Sequence, residues 1–239
     1  MFRLTVPRNE METRETRLSA SEIKFVVTPA LSAEIERWAR RWLAPDPHGD
    51  HYRVSSIYFD TAGRDVYERR GSFARGKYRI RRYGDADHVF FERKLRSKNV
   101  VIKRRSIVEL EDLPLLEGVG LDRKWREGYW FHRRISARAL QPAWQINYER
   151  TARVLESGAG LIRLTIDRGL RAAPARTFAF QNGAELQRIY EEGNGDRHIL
   201  ELKFRNRIPE LFRDLMEELV LTPQPVSKFR LAAGTLAYA

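Results

Sequence analysis

Lys77-Tyr78-Arg79-Ile80-Arg81 sets a cation at every second position, with an aromatic or aliphatic residue between. Side chains two apart leave a strand on the same side, so the stretch predicts a strand with three cations on one face. The alternation recurs in Glu22-Ile23-Lys24-Phe25, Phe91-Glu92-Arg93-Lys94, Ile162-Arg163-Leu164-Thr165-Ile166-Asp167 and Leu200-Glu201-Leu202-Lys203-Phe204. A single strand of this kind is most simply the solvated side of an antiparallel sheet. Five of them, rich in Arg and repeating Glu-x-Lys, predict one shared charged surface.

Working outward, strands are expected over 19–28, 52–60, 76–84, 87–96, 101–110, 143–154, 161–170 and 197–205, with turn signals such as Gly84-Asp85 and Ser157-Gly158 between several of them. Leu31, Ile35, Trp38, Ala39, Trp42 and Leu43 fall at helical spacing before Pro45 and Pro47. Ile208, Leu211, Phe212, Leu215, Met216, Leu219 and Val220 form a second helical stripe between Pro209 and Pro223. A third helix is expected within 121–140 and a short one over 65–70. Many strands and few helices give an α+β fold: a closed antiparallel β-barrel with peripheral helices, charges inside and helices outside.

Such an interior is unfavourable when empty, because several cations in a low-dielectric space repel one another and each loses hydration. An elongated polyanion relieves this, since Arg and Lys donate to phosphate oxygens and a carboxylate-held divalent cation can bridge them. The bulk numbers agree. Lys and Arg total 44 against 32 Asp and Glu, a net charge of +12 that favours an anionic partner without choosing which. The 239 residues contain no cysteine, which excludes disulfides, a thiol nucleophile and Cys-based metal sites and suits a cytoplasmic location. No apolar run is long enough to span a membrane. Residues 1–18, charged and without a signal-peptide core, read as a partly mobile lead-in, and 19–239 as a single domain.

An ordered set of motifs carries a resemblance: Glu22-x-Lys24, Ser56-Ile-Tyr58-Phe59-Asp60, Arg79-x-Arg81, Glu92-Arg-Lys94, Lys103, Tyr148-Glu-Arg150, Arg163-x-Thr-x-Asp167, Glu201-x-Lys203 and Ser227-Lys228-Phe229. From Glu22 to Phe229 this resembles the VTC domain, the polyphosphate polymerase branch of the triphosphate tunnel metalloenzymes. The resemblance implies a tunnel barrel in which a nucleoside triphosphate such as ATP gives its terminal phosphate to a polyphosphate chain, with Mn2+ or Mg2+ as metal. It further implies that Lys24, Arg79, Arg81, Lys94, Lys103, Arg150, Arg163 and Lys228 grip phosphate, joined by Arg70 and Lys203. Glu201 would hold the metal, with Glu92 and Asp167 as second candidates for metal or water contacts or for orienting the cations. The chain departs from relatives at three points. Ala20 stands where CYTH-type enzymes begin Glu-x-Glu-x-Lys. Arg96 stands where eukaryotic VTC polymerases have His, and Pro225 where they have Lys.

Three readings of function remain open: the polymerase, a triphosphate or polyphosphate phosphohydrolase on the same residues, and a polyphosphate-binding module without turnover. Other signals are set aside. Gly71-Ser-Phe-Ala-Arg-Gly76-Lys77 resembles a P-loop, but Tyr78 replaces the Ser/Thr and a strand pattern follows it. Asp46-Pro-His48-Gly-Asp50-His51 reads as a solvated loop rather than a metal site. His88, His132 and His198 read as isolated surface or core residues. Lys103-Arg104-Arg105 and His132-Arg133-Arg134, with Trp125, Tyr129, Trp130 and Phe131 nearby, lack any recognised nucleic-acid motif.

Overall fold

The computed structural model describes residues 14–18, 20–97, 100–118, 126–157, 160–190 and 195–235. In chain order the elements are β1 (Arg14–Leu18), β2 (Ala20–Val27), α1 (Pro29–Trp42), β3 (Ala44–Pro45), β4 (His51–Asp60), α2 (Asp65–Glu68), β5 (Gly76–Tyr83), β6 (His88–Ser97), β7 (Val100–Glu109), α3 (Arg126–Ser136), β8 (Gln141–Ser157), β9 (Gly160–Pro174), β10 (Gln187–Arg188), β11 (His198–Arg205), α4 (Glu210–Glu218) and α5 (Lys228–Thr235). Every expected strand is present. The fold is α+β, an antiparallel sheet with peripheral helices. Part of the expected third helix, at 121–125, and most of the lead-in lie outside the described residues. Residues 14–18 of that lead-in form β1 and pair with β7, a strand the sequence reading did not assign.

The chain divides into two compact units, with β4 and β8 contributing residues to both. The first holds β1, Ser55–Gln145 and Pro174–Asn182. Its strand neighbours run β1-β7-β6-β5-β4. The register aligns Lys77 with Lys94 and Lys94 with Lys103. One step along, Arg79 faces Glu92 and Glu92 faces Arg105. Directly opposed residues share a face, so these side chains leave the same side of three strands. On the other side Tyr78 and Phe91, with Phe59 of β4, pack on Phe131 of α3 at ring-centroid distances of 6.1, 4.7 and 5.4 Å. Trp130 of α3 is fixed beside them, its indole Nε1 donating to Ser106 Oγ at 3.0 Å.

The second unit runs from β2 to Val54, over Ile146–Ala173, and from Gly183 onward. Its strand neighbours are β4-β8-β9-β11-β2. Phe25, Leu164, Ile166, Leu200 and Leu202 form one sheet face, and Ile35 and Trp38 of α1 with Phe212 and Leu215 of α4 cover it. The two amphipathic stripes thus lie on the apolar side, as their spacing predicts. Thr28 starts α1 by accepting from the Leu31 amide at 3.3 Å, and Pro29 occupies its first turn. Burying these faces against helices leaves the alternate residues, the charged set, on the opposite side of the same strands.

Candidate functional site

In the second unit the charged face is built on paired strands. The register sets Lys24 opposite Glu201 and Glu22 opposite Lys203 across β2 and β11, and Thr165 and Arg163 opposite Glu201 and Lys203 across β11 and β9. Lys203 Nζ lies 2.7 Å from Glu201 Oε1, and Lys24 Nζ lies 3.5 Å from Glu201 Oε2 and 3.4 Å from Glu22 Oε1. Burial would raise the Glu201 pKa, but Lys203, Lys24, Lys228 and Arg150 hold it well below the usual carboxylate range. Burial lowers the pKa of Lys203, with Arg150 adding to that; Glu201 and Glu22 offset part of the shift.

A second carboxylate anchors two more cations. Arg150 donates from Nε to Asp167 Oδ1 at 2.6 Å and from Nη2 to Oδ2 at 2.8 Å, and Lys228 Nζ sits 2.5 Å from Oδ2. Tyr148 lies beneath both, its ring centroid 5.3 Å from the Arg150 guanidinium and 4.8 Å from Lys228 Nζ. Asp167 is fully buried. Burial would raise its pKa, yet Arg150 and Lys228 hold it below the usual carboxylate range. Burial opposes the charge of Arg150, but Asp167 and Tyr148 keep it firmly protonated. The Ser-Lys-Phe motif therefore acts through helix placement: α5 begins at Lys228 and buries Phe229. This helix was not assigned from the sequence, since eight residues carry too short a stripe for periodicity to find.

The first unit carries its own cationic face. Arg79 donates from Nε to Glu92 Oε2 at 2.6 Å, and Arg105 Nε lies 3.1 Å from Glu92 Oε1. Tyr58 accepts from Arg79 at 3.1 Å, and Ser56 accepts from Arg81 at 3.0 Å. Burial would raise the pKa of Glu92, but Arg79, Arg81 and Arg105 keep it below the usual carboxylate range. In the Ser56-to-Asp60 motif the last residue has a different task. Asp60 accepts from the backbone amides of Thr61, Val66 and Tyr67 at 2.8, 2.8 and 3.1 Å and so anchors the entry into α2. Burial raises its pKa despite those three donors.

Some candidates have other surroundings. Arg70 lies on the exposed turn after α2, donating to Gly63 O at 3.0 Å and paired with Asp65 at 3.4 Å. Arg163 pairs through Nε with Asp46 Oδ2 at 2.9 Å and donates to the Tyr52 hydroxyl at 2.8 Å. The Asp46–His51 loop is therefore only partly solvated, because Asp46 is buried against Arg163 while also accepting from the His48 amide at 3.1 Å. The basic triplet 103–105 is split by strand alternation. Lys103 and Arg105 share the charged face, whereas Arg104 lies over the Trp130 ring at 4.6 Å on the other. Alternation along β5 already groups Lys77 with Arg79 and Arg81, but that Lys77 faces Lys94 and Arg105 faces Glu92 depends on cross-strand register, which neither strand alone shows. Gly71–Arg75 forms a 3-10 turn leading into β5, so no P-loop helix follows it. Among the described residues no three of His, Asp and Glu group as a metal centre.

Comparison with known proteins places this architecture. A model of the VTC domain matches residues 19–237. No curated protein matches the chain. Among solved structures, a candidate adenylate cyclase from Bacillus halodurans aligns with TM-score 0.52 at 11% identity, over 88% of this chain and 95% of that one, a likeness of fold. A candidate adenylyl cyclase from Hippeastrum with dominant triphosphatase activity aligns with TM-score 0.48 at 16% identity, over 90% and 96% of the two chains. With the motif order, the charged strand faces and the family match over nearly its whole length, the chain belongs to the VTC domain family.

Proposed function

We propose that this protein acts on nucleoside triphosphates and polyphosphate, as a polymerase that moves the terminal phosphate of a triphosphate such as ATP onto a polyphosphate chain. The observation that carries the reading is the second unit's charged face. There Arg150, Lys228, Lys24 and Lys203 converge on Asp167 and Glu201, with Glu22 also at Lys24, so four cations meet three carboxylates. Surplus positive charge held in a partly buried space favours a ligand with closely spaced negative charges. A guanidinium has five N–H donors, more than Asp167 and Tyr148 take up on Arg150. The Lys77, Lys94 and Lys103 ladder in the first unit sets three cations side by side, which suits the same class of ligand.

In this reading no covalent intermediate on the protein is required. The buried carboxylates hold the cations in place beforehand, and the cations align the phosphates and stabilise charge on the transferring group. Arg79, Arg81, Lys94 and Lys103 contribute to phosphate binding on the same reasoning.

A divalent ion, Mg2+ or Mn2+, belongs to this proposal. Such ions on phosphate substrates take one or two carboxylates from the protein and further oxygens from phosphate and water. Glu201 with Glu22, which meet at Lys24, fits that limited donor set. Glu92 and Asp167 each sit between two cations, as Glu201 does, and in this proposal they orient those cations. The bound metal would offset charge on the phosphate oxygens.

The test is phosphorus NMR of the purified protein with ATP and Mn2+. Growth of mid-chain phosphate signal beyond that of ATP, lost in Lys94→Ala and Glu201→Ala, is the expected result. Release of orthophosphate or pyrophosphate alone would replace the polymerase by a phosphohydrolase, with water taking the place of the acceptor phosphate. Intact ATP together with a melting temperature raised by tripolyphosphate would replace both by a binding module.

A further inference from the structure

The charged face of the second unit changes character at one end. Along β9, Leu161, Arg163, Thr165 and Asp167 share one parity, so Leu161 leaves the strand on the side that carries Arg163. Along β8, Val154 has the parity of Arg150. Where the cations end, a cleft of about 430 Å³ begins, bounded by Leu161, Val154, Leu155, Pro47, His48 and Arg163. That volume lies in the range of small-molecule sites. Leu161 is 51% exposed, a large aliphatic side chain left in water beside a cationic strand. The charged groups of the cleft are Asp46 and Glu156 against Arg163, so it has no surplus of positive charge to hold phosphate.

Resting on the function proposed above, we infer that this cleft receives the nucleoside end of the triphosphate donor. The ligand that fits the sequence of surfaces has a polyanionic tail and a flat, weakly polar head. The tail meets the cations; the head lies against Leu161, Val154 and Pro47, with the Arg163 guanidinium at the junction. Buried Asp46 pairs with that guanidinium and the Tyr52 hydroxyl accepts from it, which holds it in place before the ligand arrives. A planar guanidinium so fixed suits stacking on a base. Tripolyphosphate and polyphosphate, which lack the head, have no use for the cleft.

Titration calorimetry with two probes tests this: an ATP analogue carrying a β,γ-imido bridge, which is not turned over, and tripolyphosphate, each with Mn2+. Leu161→Ala is expected to weaken the ATP analogue about fivefold, the scale of removing part of one aliphatic side chain from a base. Leu161→Asp, which adds a charge there, is expected to weaken it further. Both variants should bind tripolyphosphate as wild type does, which also reports that they are folded. Unchanged affinity of both variants for the ATP analogue would overturn the cleft assignment and leave the phosphate reading standing. Equal weakening of both probes would also overturn it, placing Leu161 in the support of the phosphate grip. Failure of the wild-type protein to bind either probe would remove the assignment together with the function it rests on.

Discussion

Arg150 and Asp167 form a buried, two-pronged ion pair between neighbouring strands: Nε to Oδ1 at 2.6 Å, Nη2 to Oδ2 at 2.8 Å. Lys228, from the start of α5, closes on the same carboxylate at 2.5 Å. Asp167 therefore joins β8, β9 and α5, and it keeps Arg150 charged where burial opposes that charge.

Removing that carboxylate leaves two buried cations without compensation. Asp167→Asn is expected to cost about 3–5 kcal/mol of stability, the usual penalty for breaking a buried pair from one side. Urea unfolding followed by tryptophan fluorescence measures it. A loss below about 1 kcal/mol, the scale of an exposed pair, would mean that the cations relax into water instead of being held.

Acid should unfold the protein through these groups. Asp167, Glu92 and Glu201 all have folded-state pKa values depressed below the usual carboxylate value. Each binds a proton less readily folded than unfolded, so its contribution is complete above the ordinary value of about 4 and is lost as pH falls below it. Urea midpoints should be flat in this respect from about pH 7 to 5 and fall steeply under about 4. The fall should be smaller in Glu201→Gln, where one titrating group is gone.

Lys203 predicts a limb at the alkaline end. Burial lowers its pKa, so its ammonium loses the proton at a lower pH than the ordinary lysine value of about 10.4. If Lys203 contacts phosphate, tripolyphosphate affinity should start to weaken before that pH. Lys203→Arg, which stays charged, should move the limb upward. An alkaline limb identical in the two proteins would exclude Lys203 from phosphate binding.

Neighbouring arginines should behave differently. Arg105 shares the face of Glu92 and Lys103, whereas Arg104 stacks over Trp130 on the opposite face. Arg105→Ala is expected to weaken tripolyphosphate by about ten- to a hundredfold, the range for a charged hydrogen bond. Arg104→Ala should leave that affinity unchanged and lower the melting temperature slightly, because no cation then covers the indole. Similar binding losses in both would argue against the two-faced strand.

Eight of the described strands, the two long helical stripes and a charged and an apolar side on those strands are legible in the sequence. These are local properties: a period of two or 3.6 is complete within one segment, and Pro29, Pro45 and Pro209 punctuate it in place. The cationic candidates were legible in the same way, because alternation shows which side a residue leaves from. Tertiary structure alone decided which charges meet. That Asp167 holds Arg150 and Lys228, that Lys77 lines up with Lys94 and Lys103, and that Arg105 rather than Arg104 joins Glu92 depend on cross-strand register and on α5. The same holds for Asp46, which reads as part of a loop yet is buried against Arg163, and for Arg70, which the family resemblance groups with the phosphate ligands but which pairs with Asp65 on a turn. Partners separated by many residues are brought together only when strands pair, and the identity of a residue carries no record of the one that will face it.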